Sequence, residues 1–97
     1  YKYLASIDAT YNLSDLIGPG SAATSITIMI RLRQTVNGQV VYTTLMEPRK
    51  VTGDTLLPVR FKNIEGAYGV EQGAVEVVET DNNNVLKSYS VEFFKVE

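Results

Sequence analysis

From Ser25 to Arg33, Ile26, Ile28, Ile30 and Leu32 alternate with Thr27, Met29, Arg31 and Arg33. A period of two lines one face of an extended backbone, whereas a helix would scatter the same side chains around its circumference. The β-branched residues reinforce the choice, because they are stiff at χ1 and pack well on a pleated surface. This stretch therefore predicts a strand with one apolar face. Asn37-Gly38 comes next, and both residues tolerate the positive φ that a type I′ turn demands, so a hairpin is expected. Its return strand, Gln39 to Met46, carries Val40, Tyr42 and Thr44 on one face, with Val40 and Tyr42 expected to point inward. Pro48 is expected to stop that strand, leaving Arg49-Lys50 in a basic loop.

Similar patterns recur along the chain. Tyr1, Tyr3, Ala5, Ile7, Ala9 and Tyr11 alternate with polar residues and predict a half-buried first strand. Asn12 to Ser21 reads as a loop pinned by Leu13, Leu16 and Ile17, with a helical turn at Ser14 to Ile17. Leu56 to Asn63 predicts a strand that lies at a sheet edge or carries a bulge, the edge being favoured, since Pro58 cannot donate to a ladder. Gly66, Gly69 and Gly73 mark a bent connection between sheets, followed by a strand from Ala74 to Thr80. Asp81-Asn82-Asn83-Asn84 should turn the chain into a last strand, Val85 to Val96. Short strands punctuated by turns, with almost no helical period, predict an all-β fold: an antiparallel β-sandwich of six or seven strands in one domain spanning residues 1–97.

The residue inventory narrows the chemistry. Among 97 residues there is no His and no Cys, which removes the usual general base, the thiol nucleophile, disulfides and nearly every zinc, iron or copper site. Ser88 has Lys87 beside it, but adjacent strand residues point to opposite faces, so no Ser-Lys dyad is expected. Glu76 and Glu79 read as surface acids rather than a glycosidase pair. The glycines lack the Lys-Ser/Thr of a phosphate-binding loop. Asp81 to Asn84 offers oxygen ligands without the spacing of a calcium loop. The expectation is a non-enzymatic chain with no metal and no cofactor. A net charge of −2 argues against nucleic acid as a partner. No stretch reaches the roughly 20 apolar residues of a spanning helix. The opening Tyr1-Lys2-Tyr3-Leu4 is not signal-like and reads as the start left by a cleavage or a cut.

The binding candidates are cations at alternate strand positions. Arg31 and Arg33 share one strand, Arg60 and Lys62 another, and Arg49 and Lys50 lie between them. Two such strands on one outer face would form a stripe for an anionic polymer or acidic partner. The competing expectation pairs them with Glu76, Glu79 or Glu92 on neighbouring strands.

The stretch Gly73-Ala74-Val75-Glu76-Val77-Val78-Glu79-Thr80-Asp81, its asparagine turn, Val85-Leu86-Lys87 and Ser90-Val91-Glu92-Phe93 together resemble the last hairpin of bacterial extracytoplasmic Ig-like and fibronectin-type modules. Asn37-Gly38-Gln39-Val40-Val41 is similar to an earlier hairpin of such modules. The resemblance implies an Ig-like sandwich without the disulfide and packing Trp of antibody domains. It also implies a periplasmic, cell-surface or secreted location and a role in protein interaction, assembly or spacing. A partner protein or neighbouring domains of a parent chain are then expected. The alternative is a module that binds carbohydrate or an anionic polymer through the basic residues and tyrosines.

Overall fold

Seven strands and one short helix make up the computed structural model, which describes residues 2–18 and 20–96. Tyr1 of the predicted first strand and Pro19 of the predicted loop lie outside the described residues. The order is β1 (Lys2–Tyr11), α1 (Leu13–Ile17), β2 (Ser25–Val36), β3 (Gln39–Thr52), β4 (Leu57–Gly66), β5 (Val70–Glu79), β6 (Asn84–Val91) and β7 (Phe94–Val96). Two antiparallel sheets result, one with order β4-β1-β7 and the other β3-β2-β5-β6. Their inner faces share a cluster that includes Ala5, Ile28, Ile30, Leu32, Val51, Val59, Val75 and Val77. Fully burying each of the larger aliphatics stabilises the fold by roughly 1.5–3 kcal/mol.

The hairpin forms as its turn residues dictate. Asn37 and Gly38 have φ of 53° and 78°, and the ladder runs from Val36↔Gln39 to Arg31↔Thr44 without a slip. Beyond it the structure departs from expectation. Pro48 does not end β3, which continues to Thr52 and carries Arg49 and Lys50 as strand residues. The register shifts twice there, so Glu47 and Pro48 bulge opposite Met29, and the missing amide hydrogen of Pro48 is tolerated because β3 is an edge strand. Val40 and Tyr42, expected in the core, are exposed: their partners Thr35 and Arg33 lie on the outer face. Val51, beyond the proline, takes the buried position opposite Ile26.

The helix plugs one end of the sandwich. Asn12 caps it: its side chain accepts from the Asp15 amide at 2.9 Å, and the Asp15 carboxylate accepts from the Asn12 amide at 2.9 Å. This reciprocal pair satisfies amides that would otherwise lack partners. Leu13 and Leu16 are thereby turned into the core.

At the other end, Phe93 joins the sheets. The predicted last strand is two strands, β6 and β7, because Phe93 leaves the ladder and lays its ring against Gly66 and Gly73. A Cβ on Gly73 would stand 2.3 Å from Phe93 Cε2. The predicted bent connection is also shorter than expected: Ala67 to Gly69 alone link β4 to β5, with Gly69 at φ 78° and the Val70 amide donating to the Ala67 carbonyl at 3.1 Å. Buried Gln34 accepts from the Ala67 amide at 2.7 Å and holds this crossing in place.

Candidate functional site: an unshielded sheet edge beside an arginine pair

The predicted basic residues do not form one stripe. Arg31 and Arg33 lie in β2 of the four-stranded sheet, Arg60 and Lys62 in β4 of the other, and Arg49 and Lys50 in the bulged part of β3. Arg60 donates through Nε to Asp8 at 2.9 Å, in a pair whose side chains are 65% and 77% exposed and which contributes little to stability.

Arg31 and Arg33 are held differently. Cross-strand register sets Glu76 of β5 directly opposite Arg31. Glu76 accepts from Arg31 Nε at 2.9 Å and from Arg33 Nη1 at 3.2 Å, with only 3% of its side chain exposed. The expected surface acid is thus a buried carboxylate. Desolvating it costs free energy that two charged donors offset. Tyr42 of β3 lies over the assembly, its ring centroid 4.2 Å from Arg31 Cζ. That contact covers Arg31 and brings the edge strand and the arginine pair together. Two guanidinium groups sharing one carboxylate leave the cluster a single net positive charge.

The strand that carries Tyr42 has a second property. A sheet edge offers unpaired backbone donors and acceptors, and proteins usually shield it with Pro, charge, bulges or brevity. β4 is an edge, as its proline predicted, and carries Pro58, Arg60, Lys62 and a bulge at which Asn63 takes φ 58°. β6 contains Lys87 and a register shift and packs on α1, while β7 has three residues, one of them Lys95. The far half of β3 has Glu47, Pro48, Arg49 and Lys50. Its near half, Gln39 to Met46, has eight consecutive residues without charge or proline, and its ladder runs without a register shift as far as Thr44. Val40, Val41 and Tyr42 are 53%, 44% and 54% exposed, so apolar groups project from both faces of the strand.

Sequence reasoning put the exposed edge at Leu56 to Asn63 and missed this one. The signal was the uncharged run after Asn37-Gly38, masked because alternation assigned Val40 and Tyr42 to the core. Beside the strand, a cleft of about 740 Å³ on the outer face is lined by Arg33, Val40, Tyr42, Ser90 and Glu92 among others, with the small side chain of Ala74 leaving room at its floor.

The asparagine turn uses its own side chains. Asn82 donates to Glu79 at 2.9 Å and accepts from the Asn84 amide at 3.0 Å, and Asn83 takes φ 58°. Comparison of the chain with protein-family models, curated proteins and solved structures found no match.

Proposed function

We propose that this chain is a non-catalytic β-sandwich module of a bacterial envelope or secreted protein, acting in interaction and assembly by accepting a strand along Gln39 to Met46. The unshielded half of β3 carries this reading. A long apolar edge without charge or proline is an aggregation hazard unless something pairs with it. Strand addition turns the hazard to use, with main-chain hydrogen bonds giving affinity and alternate side chains giving selectivity. Resemblance of the β5–β6 and β2–β3 hairpins to extracytoplasmic modules supports the cellular setting and the Ig-like type. The β2–β5 pairing has the place of the B–E pairing of Ig domains, but β3 and β6 share its sheet, where an Ig domain sets C and F in the opposite one.

The test is selection of binders from a random peptide library. Selected peptides should alternate apolar and polar residues, and Thr44→Pro should abolish their binding while leaving the fold intact. Binders indifferent to that substitution would place recognition elsewhere.

The cleft favours a second reading, a neutral carbohydrate resting on Tyr42 with Arg33, Ser90 and Glu92 as polar contacts. Glu71 and Glu92 share its walls with Arg33, which favours an uncharged ligand over a polyanion. Binding to a glycan panel that is lost in Tyr42→Ala supports it; no binding at millimolar sugar rejects it.

A further inference from the structure

We infer that the strand received by β3 is β3 of a second copy, paired antiparallel about a two-fold axis at Tyr42. This rests on the strand-addition reading and names its partner.

Backbone phase carries the argument. In a two-residue hairpin the closing pair, here Val36 and Gln39, exchanges both hydrogen bonds, and bonded pairs then recur at every second residue. Gln39, Val41 and Thr43 therefore direct their backbone groups toward β2. Val40, Tyr42 and Thr44 direct theirs away, at the open edge. The first register shift, between Ile30 and Arg31, ends the regular ladder just after Thr44. The open groups are thus three residues placed symmetrically about Tyr42.

A two-fold axis normal to the sheet, at Tyr42, sets Tyr42 against its own copy and Val40 against Thr44 of the other chain. All three outward residues then form bonded pairs, giving about six main-chain hydrogen bonds. Moving the axis one residue toward the turn sets Thr44 of each chain against Gly38 of the other, and moving it one residue the other way sets Val40 of each chain against Met46, across the register shift. Facing side chains also suit each other. Tyr meets Tyr and Val meets Thr on the outer face, and Val41 meets Thr43 on the inner one, without like charges opposed. The interface is isologous and closes on itself, so each edge is covered once and the sheet stops growing at eight strands. Beyond this segment the bulge at Glu47 and Pro48 prevents further zippering.

Sedimentation equilibrium from micromolar to sub-millimolar protein tests this. Wild type should rise in apparent mass to twice the monomer. Val40→Lys with Thr44→Lys should remain monomeric, since the new lysines face one another across the axis. Val40→Lys with Thr44→Glu should restore the dimer, which non-specific loss of stickiness would not do. In wild type, the Val40, Tyr42 and Thr44 amides should exchange several-fold more slowly as concentration rises, a readout that needs no variant to fold. A monomer at every concentration, or a dimer insensitive to the double-lysine change, overturns self-pairing. A synthetic peptide of Gln39 to Leu45 with terminal lysines separates the two ideas. If it binds a protein that stays monomeric, strand addition stands and self-pairing fails; if it does not bind and no dimer forms, both fail.

Discussion

Phe93 shows how one side chain constrains positions far from it in sequence. Its ring is wedged between Gly66 and Gly73, with hypothetical Cβ atoms 2.8 Å and 2.3 Å away, so it cannot retreat from one without striking the other. Gly73→Ala should therefore destabilise the protein by about 1–3 kcal/mol, the usual range for overpacking. Thermal melting of the variant checks this, and adding Phe93→Leu should recover part of the loss if the ring is the cause. Tyr11 offers a test of a different kind. Burial, and secondarily the nearby Asp15 carboxylate, push its phenol above the usual tyrosine range. A raised pKa in the folded state means that folding favours the protonated phenol. The resulting stability is present below the ordinary value near pH 10 and is lost as pH rises through the folded value. Denaturation midpoints should fall on that alkaline side, and less steeply in Tyr11→Phe.

Among the elements, β5 depends most on its neighbours. Both its faces are covered: Val75 and Val77 lie in the core, while Ala74, Glu76 and Val78 are buried on the outer side. Glu76 ties β5 to β2 through Arg31 and Arg33, and Tyr42 extends the link to β3. Replacing Glu76 with Gln keeps the shape but removes the charge, leaving two guanidinium groups close together without their counter-ion. A loss of about 1.5–3 kcal/mol is expected, the range for hydrogen bonds to charged groups. The figure is held to that range because Arg31 and Arg33 can regain water, with 20% and 45% of their side chains exposed. Urea denaturation checks the value. Arg31→Ser with Arg33→Ser should also lower the melting temperature, since it strands a buried carboxylate. If that double variant melts like wild type, the cluster has no structural role and a surface-binding role for the arginines regains ground. At this scale the sequence was readable where pattern and turn chemistry are local. The Asn37-Gly38 hairpin, the helical turn before Ile17 and the edge position of the Pro58 strand all follow from it. The continuation of β3 past Pro48 does not, because an edge position makes a proline harmless and that position is a property of the sheet.

Across the whole molecule, hydrogen exchange should report the gradient from centre to tip. Amides of β2 and β5 on the β2–β5 ladder have both neighbours in place and should exchange most slowly, while Val40, Tyr42 and Thr44 should be fastest within the strands at low concentration. Equal protection along β3 at high dilution would contradict the open edge. The asymmetry also marks the division between what the chain dictates locally and what its assembly decides. By itself the sequence determined strand character, the two hairpin turns, the alternation that sends Arg31 and Arg33 outward, and the inventory that leaves no His or Cys for chemistry. These depend on the backbone period and the φ preferences of single residues, which need no distant partner. Only the tertiary structure decided that Glu76 is buried between two arginines, that Phe93 divides the last strand, and that Arg60 and Lys62 belong to the other sheet. Each follows from which strands become neighbours, and that choice is made by packing two sheets over one core, where residues dozens of positions apart meet and alternation alone cannot say which face is covered.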